Sequence, residues 1–185
     1  MSKRLLILAA CPLLFWACSR TASVGSTPAS LGEFYTQVNM WVEVKGVIPT
    51  TNYHMGELIP LGSRVTVTAA NARDIKFNYN GRALTMRREH RHTLASVGEV
   101  QNRMFNSTNP LQSAAFTSLS AQHQADVRAG RVTVGMTKEA VLMAYGYPPE
   151  HETAIAGDVW KFWRNRYISQ TVTFANGRVV STAGF

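Results

Sequence analysis

The sequence predicts an α+β chain: a small β unit over Phe34 to Thr93, then a helical connector, then a C-terminal unit of short helix, strand and hairpin. Three observations carry this. Asn80-Gly81 and Asn176-Gly177 each sit between alternating apolar and polar residues, the signature of a tight hairpin. Between them, Leu94 to Gly130 shifts to helical spacing. The length of 185 residues, with 45% hydrophobic and 16% charged side chains, fits one or two small globular domains.

Residues 1–18 read as an export leader. Lys3 and Arg4 open it and Leu5 to Ala17 follows without a charge, a basic start and short apolar run of secretory type. A membrane span needs about 20 apolar residues, and Pro12 interrupts this shorter run. The two cysteines, Cys11 and Cys18, both lie in the leader. A chain from an oxidising compartment pairs its cysteines or avoids them, and the rest of this one avoids them. Phe15-Trp16-Ala17-Cys18 resembles a bacterial lipobox, whose cysteine takes a diacylglycerol and becomes the mature N-terminus. Cys18 is therefore the expected lipid anchor. Leu8-Ala9-Ala10-Cys11 fits the motif better by letter but leaves a shorter apolar region. Cleavage by the ordinary signal peptidase, giving a soluble periplasmic protein, is the other outcome. Ser19 rather than Asp follows Cys18, which by analogy with enteric lipoproteins points to the outer membrane. Ser19 to Ser30 is rich in Ser, Thr, Ala, Gly and Pro without apolar periodicity, and 19–33 reads as a flexible tether.

Cleavage before Cys18 takes Lys3 and Arg4 from the 19 basic residues and leaves 17 against 11 acidic ones, a net of +6. That balance suits an anionic lipid surface or an acidic partner. Export and the lack of any RNA- or DNA-binding motif exclude nucleic acid.

In 34–93, Val65 and Val67 alternate with Arg64, Thr66 and Thr68, as on a half-buried strand. Pairing outward from Asn80-Gly81 sets Tyr79 opposite Arg82, Phe77 opposite Leu84 and Ile75 opposite Met86, so one face collects the apolar residues of both strands. A small barrel of SH3-like type is the expected way to bury such a meander. In the connector, Val97, Val100, Met104 and Phe105 fall near helical spacing, with Thr93 or Ser96 as caps. Asn106 to Pro110 breaks the pattern, and a second helix runs from about Ser120 until Gly130 stops it.

In the last unit Thr137 is the expected N-cap of a short, mostly buried helix, with Glu139 favourably placed in its first turn. Gly146 ends that helix in a left-handed conformation and Pro148-Pro149 forbids continuation. Val159 to Trp163 reads as a strand with Trp160 and Phe162 on one face. The Asn176-Gly177 hairpin pairs Phe174 with Val179 and Thr173 with Val180.

Val134-Gly135-Met136-Thr137, Gly146-Tyr147-Pro148, Trp160-Lys161-Phe162, Thr171-Val172-Thr173-Phe174 and Asn176-Gly177-Arg178-Val179 occur in that order over the last fifty-odd residues. Together they resemble the SmpA/OmlA (BamE-like) domain family. The resemblance implies helices packed on a three-stranded antiparallel sheet and the role of an envelope lipoprotein. It covers less than a third of the chain.

Sequence grounds for catalysis are thin. No Gly-x-Ser-x-Gly elbow, P-loop or His-Glu-x-x-His occurs. In Arg87-Arg88-Glu89-His90-Arg91-His92, an extended chain puts His90 and His92 on one face, but the arginines repel a cation and no third ligand has metal-site spacing. Neither metal nor cofactor is expected, and Glu150-His151-Glu152 reads as an exposed loop. The expected function is a non-catalytic protein-binding lipoprotein of the envelope. The alternative is a glycan-binding protein or hydrolase with its site in the β unit. The expected partner surface is Trp163, Arg164, Arg166 and Tyr167, because exposed aromatics and arginines dominate interface hot spots.

Overall fold

The structure, a computed structural model, describes residues 29–43 and 45–184. The expected lipid anchor Cys18, the alternative Cys11 and most of the tether lie outside those residues.

The chain is α+β, and two strand systems dominate it. The first half supplies β1 (Gly32–Thr36), β2 (Met40–Val42), β3 (Val47–Pro49), β4 (Glu57–Ile59), β5 (Arg64–Ala70), β6 (Asp74–Tyr79) and β7 (Arg82–Arg87). Helix α1 (Val97–Met104) and the two-residue β8 (Phe105–Asn106) follow. Six of these strands form one mixed sheet in the order β3-β7-β6-β5-β1-β8, in which β3 runs parallel to β7, while β2 and β4 make a separate pair. The β6–β7 hairpin has the expected register, with Phe77 opposite Leu84 and Ile75 opposite Met86, all four buried. Asn80 (φ 48°) and Gly81 (φ 76°) supply the two positive φ values that a type I′ turn requires.

The expected SH3-like barrel is not there: no closed barrel exists among the described residues. Closure would need the outer edge of β3 to reach β8. β3 is three residues long and ends on Pro49, which has no N–H to give a neighbour. β8 is shorter still. The sheet's apolar face is covered instead by α1, whose Val100 and Met104 join Val65, Val67, Ile75, Phe77, Leu84 and Met86 in one core. Ser96 caps α1 through a capping box with Glu99, and Phe105 leaves the helix as the first residue of β8.

The second half supplies a 3₁₀ turn (Pro110–Gln112), α2 (Ala114–Thr117), α3 (Ala121–Arg128), α4 (Lys138–Tyr145), β9 (Val159–Trp163), β10 (Ser169–Ala175) and β11 (Arg178–Ala183). The last three strands form an antiparallel sheet in the order β11-β10-β9. Trp160, Phe162, Val172, Phe174 and Val179 bury one face of it against Phe116, Val127, Ala140, Val141 and Ala144 of the helices. Thr137 caps α4 as expected, its hydroxyl accepting the Ala140 N–H at 3.2 Å. Phe174 pairs with Val179 as expected, but Thr173 pairs with Ser181 rather than Val180. Val180 is the extra residue of a β-bulge, adjoining Val179, whose outward N–H and C=O bond Met136 and Gly135 at 2.9 and 2.8 Å.

The connector 94–130 is divided between the two cores: α1 and Phe105 belong to the first, Phe116 and Val127 to the second. Two buried asparagines fasten the cores together. Asn39 donates from Nδ2 to the carbonyls of Val127 (2.6 Å) and Ala144 (3.1 Å) and accepts the Leu61 N–H at 2.7 Å. Asn52 donates to the carbonyls of Asn39 (2.9 Å) and Tyr145 (3.0 Å) and accepts the Trp41 N–H at 3.2 Å. The carbonyls of Ala144 and Tyr145 belong to the last turn of α4, where helical partners run out. Gly146 ends α4 with φ 80° and ψ −165°, a positive φ with extended ψ rather than the expected left-handed turn, and a region open essentially to glycine alone. A Cβ there would lie 2.7 Å from Asn52 Nδ2, so glycine is also what lets Asn52 approach.

Candidate functional site: the turn between β9 and β10 and the surfaces beside it

The turn 164–168 is held by its own backbone and one side chain. Arg164 N donates to Ile168 O at 2.9 Å, and Asn165 Oδ1 accepts the N–H groups of Tyr167 (2.8 Å) and Ile168 (2.9 Å). Asparagine is suited to this because its short side chain imitates a backbone turn. The result presents Arg166 and Tyr167 to solvent: Tyr167 is 84% exposed, and the Arg166 guanidinium lies 5.7 Å from its ring centre. Arg164 is exposed as well. Neither arginine has a carboxylate at ion-pair distance among the described residues.

Beside the turn runs a groove of about 230 Å³ lined by Glu43, Tyr53, Met55, Asn165, Arg166 and Tyr167. A second hollow of about 330 Å³ shares Glu43 and Met55 with it and adds Lys45 and Gly56. The loop before β4 reaches this place because His54 N donates to Trp163 O at 3.3 Å. Gly56 (φ 95°) lets it turn there, since a Cβ would clash with the Val42 carbonyl oxygen. Met55 is 43% and Ile168 47% exposed, so apolar surface adjoins Lys45, Arg164 and Arg166 against the lone carboxylate of Glu43. Sequence reading identified the turn and missed the groove, because residues 43–56 carry no periodic signal and reach the turn only through a tertiary contact.

Trp163 stands apart from the other three expected residues. It is half-buried on the outer face of the sheet, where its Nε1 donates to Glu152 Oε2 at 3.1 Å. Lys161 Nζ reaches the same oxygen at 3.1 Å and lies 5.3 Å over the Trp163 ring. Next to it, His151 meets His92, with ring centres 4.4 Å apart. His90, the partner that the sequence offered for His92, is exposed.

The side chain of His54 is half-buried at the joint between the cores. Its ring packs on Trp41 and Tyr145, each at 4.3 Å, and on Phe162 at 5.9 Å. Nδ1 meets the Gln170 side chain at 3.0 Å and Nε2 donates to Tyr145 O at 3.1 Å. Desolvation by burial lowers its pKa, and the bonds to Gln170 and Tyr145 only partly oppose that. With both ring nitrogens engaged, His54 is a structural residue, and its effect is on stability. The folded state resists protonation while the unfolded state takes a proton near 6.5. Stability is therefore full above pH 6.5 and is lost as pH falls from there toward the depressed folded value, by up to about 1.4 kcal/mol per pH unit. Asp126 and Glu150 act in a lower window. Burial would raise both, but bonds from Arg131, Gln122 and Thr133 to Asp126, and from Arg103, Leu94 and Ala95 to Glu150, hold them below the ordinary carboxyl value. Urea unfolding between pH 6.5 and 5 therefore reads His54. The slope flattens in His54→Gln, and an unchanged slope would contradict this account.

No family model, curated protein or solved structure matches the chain.

Proposed function

We propose that this is an exported, non-catalytic lipoprotein of the bacterial outer membrane that holds an acidic protein partner of the envelope on the turn between β9 and β10. The observation that carries the reading is the pair of guanidiniums, Arg164 and Arg166, without a carboxylate partner among the described residues, flanking the exposed ring of Tyr167 on a turn fixed by Asn165. Rigid aromatics lose little entropy on binding, and unpaired arginines offer bidentate donors to carboxylates. The mixed groove beside the turn, where Tyr53 and Met55 supply apolar surface, gives such a partner somewhere to seat a side chain. The leader and the lipobox-like Cys18 support the address, and the likeness of the last fifty-odd residues to SmpA/OmlA domains supports an envelope assembly or maintenance role.

The test is cross-linking in intact envelopes. Arg166→Ala combined with Tyr167→Ala removes the cross-linked species while the melting temperature stays within 1–2 °C, as surface changes away from caps and cores usually cost under about 0.5 kcal/mol. Trp163 is left in place because Glu152 and Lys161 tie it into the sheet. A partner that stays cross-linked to the double variant rules the turn out as the docking site.

A further inference from the structure

We propose that His92 and His151 form a two-imidazole clamp for a divalent first-row transition-metal ion of the zinc type, closed between the loop entering α1 and the loop leaving α4. The two residues are 59 apart in sequence, yet His92 Nδ1 lies 3.2 Å from Nδ1 and 3.3 Å from Nε2 of His151. A tetrahedral ion with nitrogen ligands at about 2.0–2.1 Å sets neighbouring ligand atoms roughly 3.3 Å apart. The two imidazoles already stand at the spacing of one edge of such a shell.

A second layer stands behind them. His151 Nε2 lies 3.5 Å from Glu152 Oε1, and the other Glu152 oxygen is fixed by Lys161 Nζ and Trp163 Nε1, each at 3.1 Å. A histidine that binds a metal through one nitrogen gives the other N–H to a carboxylate, which sets its tautomer and orientation. His92 Nδ1 lies almost equally near both His151 nitrogens, so either can take the ion, and with Nδ1 on the ion Nε2 has the pinned Glu152 carboxylate beside it. The loops are fastened as well: Glu150 N donates to His92 O at 2.9 Å, and the Glu150 carboxylate takes the Ala95 N–H at 3.1 Å and pairs with Arg103.

In the sequence, the neighbouring arginines argue against a cation. The fold removes part of that objection. Arg87 pairs with Asp74 at 3.1 Å, and Arg88 turns its guanidinium to the carbonyls of Ala95 and Leu94. Arg91 is the one left exposed without a carboxylate among the described residues. No group of three or more His, Cys, Asp or Glu among the described residues is arranged around an ion. The clamp is therefore bidentate, with water in the remaining positions, and it is an exchangeable site rather than a structural one.

The experiment is calorimetric titration of the purified, untagged protein with zinc chloride, repeated with nickel chloride. One ion binds per chain. Binding weakens at least tenfold in His92→Ala and in His151→Ala, about tenfold in Glu152→Gln, and is unchanged in His90→Ala and His123→Ala. Circular dichroism of each variant establishes that it is folded, and His92→Gln and His151→Gln replace any alanine variant that is not. Absence of saturable binding by the wild type, binding that survives loss of both histidines, or binding equally sensitive to His90→Ala would each overturn the assignment.

Discussion

Asn39→Ala lowers the free energy of unfolding by about 3–5 kcal/mol, because it strands three buried groups at once and each costs roughly 1–3 kcal/mol when left unpaired, less whatever entering water restores. Those groups are the Leu61 N–H and the carbonyls of Val127 and Ala144. Asn39 has no exposed surface. The loss is larger than its small volume implies, and Asn39→Leu, which keeps the branched shape but not the bonds, does not restore it. Denaturation followed separately by near-ultraviolet dichroism and by fluorescence adds a second reading. The wild type loses both signals together, whereas Asn39→Ala separates them, since the bonds it removes are those that make two cores behave as one. A loss under about 1 kcal/mol would mean that the joint is held by packing alone.

Phe174→Ala and Phe77→Ala each cost about 3–5 kcal/mol, the range for deleting a fully buried ring and leaving the cavity. That is a large share of the roughly 5–15 kcal/mol by which small proteins are stable. Phe77 is 1% exposed and packs on Phe105 at 5.1 Å; Phe174 is 3% exposed and meets Trp160 edge-on at 4.7 Å. The two rings lie in different cores. Urea midpoints of both variants fall with an unchanged denaturant slope, because the same surface is exposed on unfolding. A shallower slope in one of them would show its core already open in the native state.

The features legible in the sequence are those written in adjacent residues. Asn80-Gly81 and Asn176-Gly177 fix turns whose geometry then dictates Phe77 opposite Leu84 and Phe174 opposite Val179. Ser96, Ser120 and Thr137 sit where helices begin and Gly130 and Gly146 where they stop. What was not legible depends on residues far apart in the chain. Val47-Ile48-Pro49 is too short to show a period, so its parallel pairing with β7 had no signal. The barrel was expected because nothing local says that α1, rather than the sheet's own far side, would cover Phe77 and Met86. For the same reason the candidate site was half legible: Arg164, Arg166 and Tyr167 stand together because they are neighbours in sequence, while Met55 and the meeting of His92 with His151 come from tertiary contacts.

The asparagine joint also bears on how the chain is made. Asn39 waits for a carbonyl 105 residues further on, and Asn52 for one 93 further on. A chain emerging from its N-terminus carries the Asn39 and Asn52 side chains without these carbonyls until the end of α4 has appeared. Contacts of such separation must meet their loop-closure cost before they return any stabilisation, and they slow folding. The buried residues of the first core, Val38 to Phe105, all lie in the first half, so it is the joint and not that core which waits for the second half. A truncation before Ala144 removes both of these carbonyls and leaves the joint unmade.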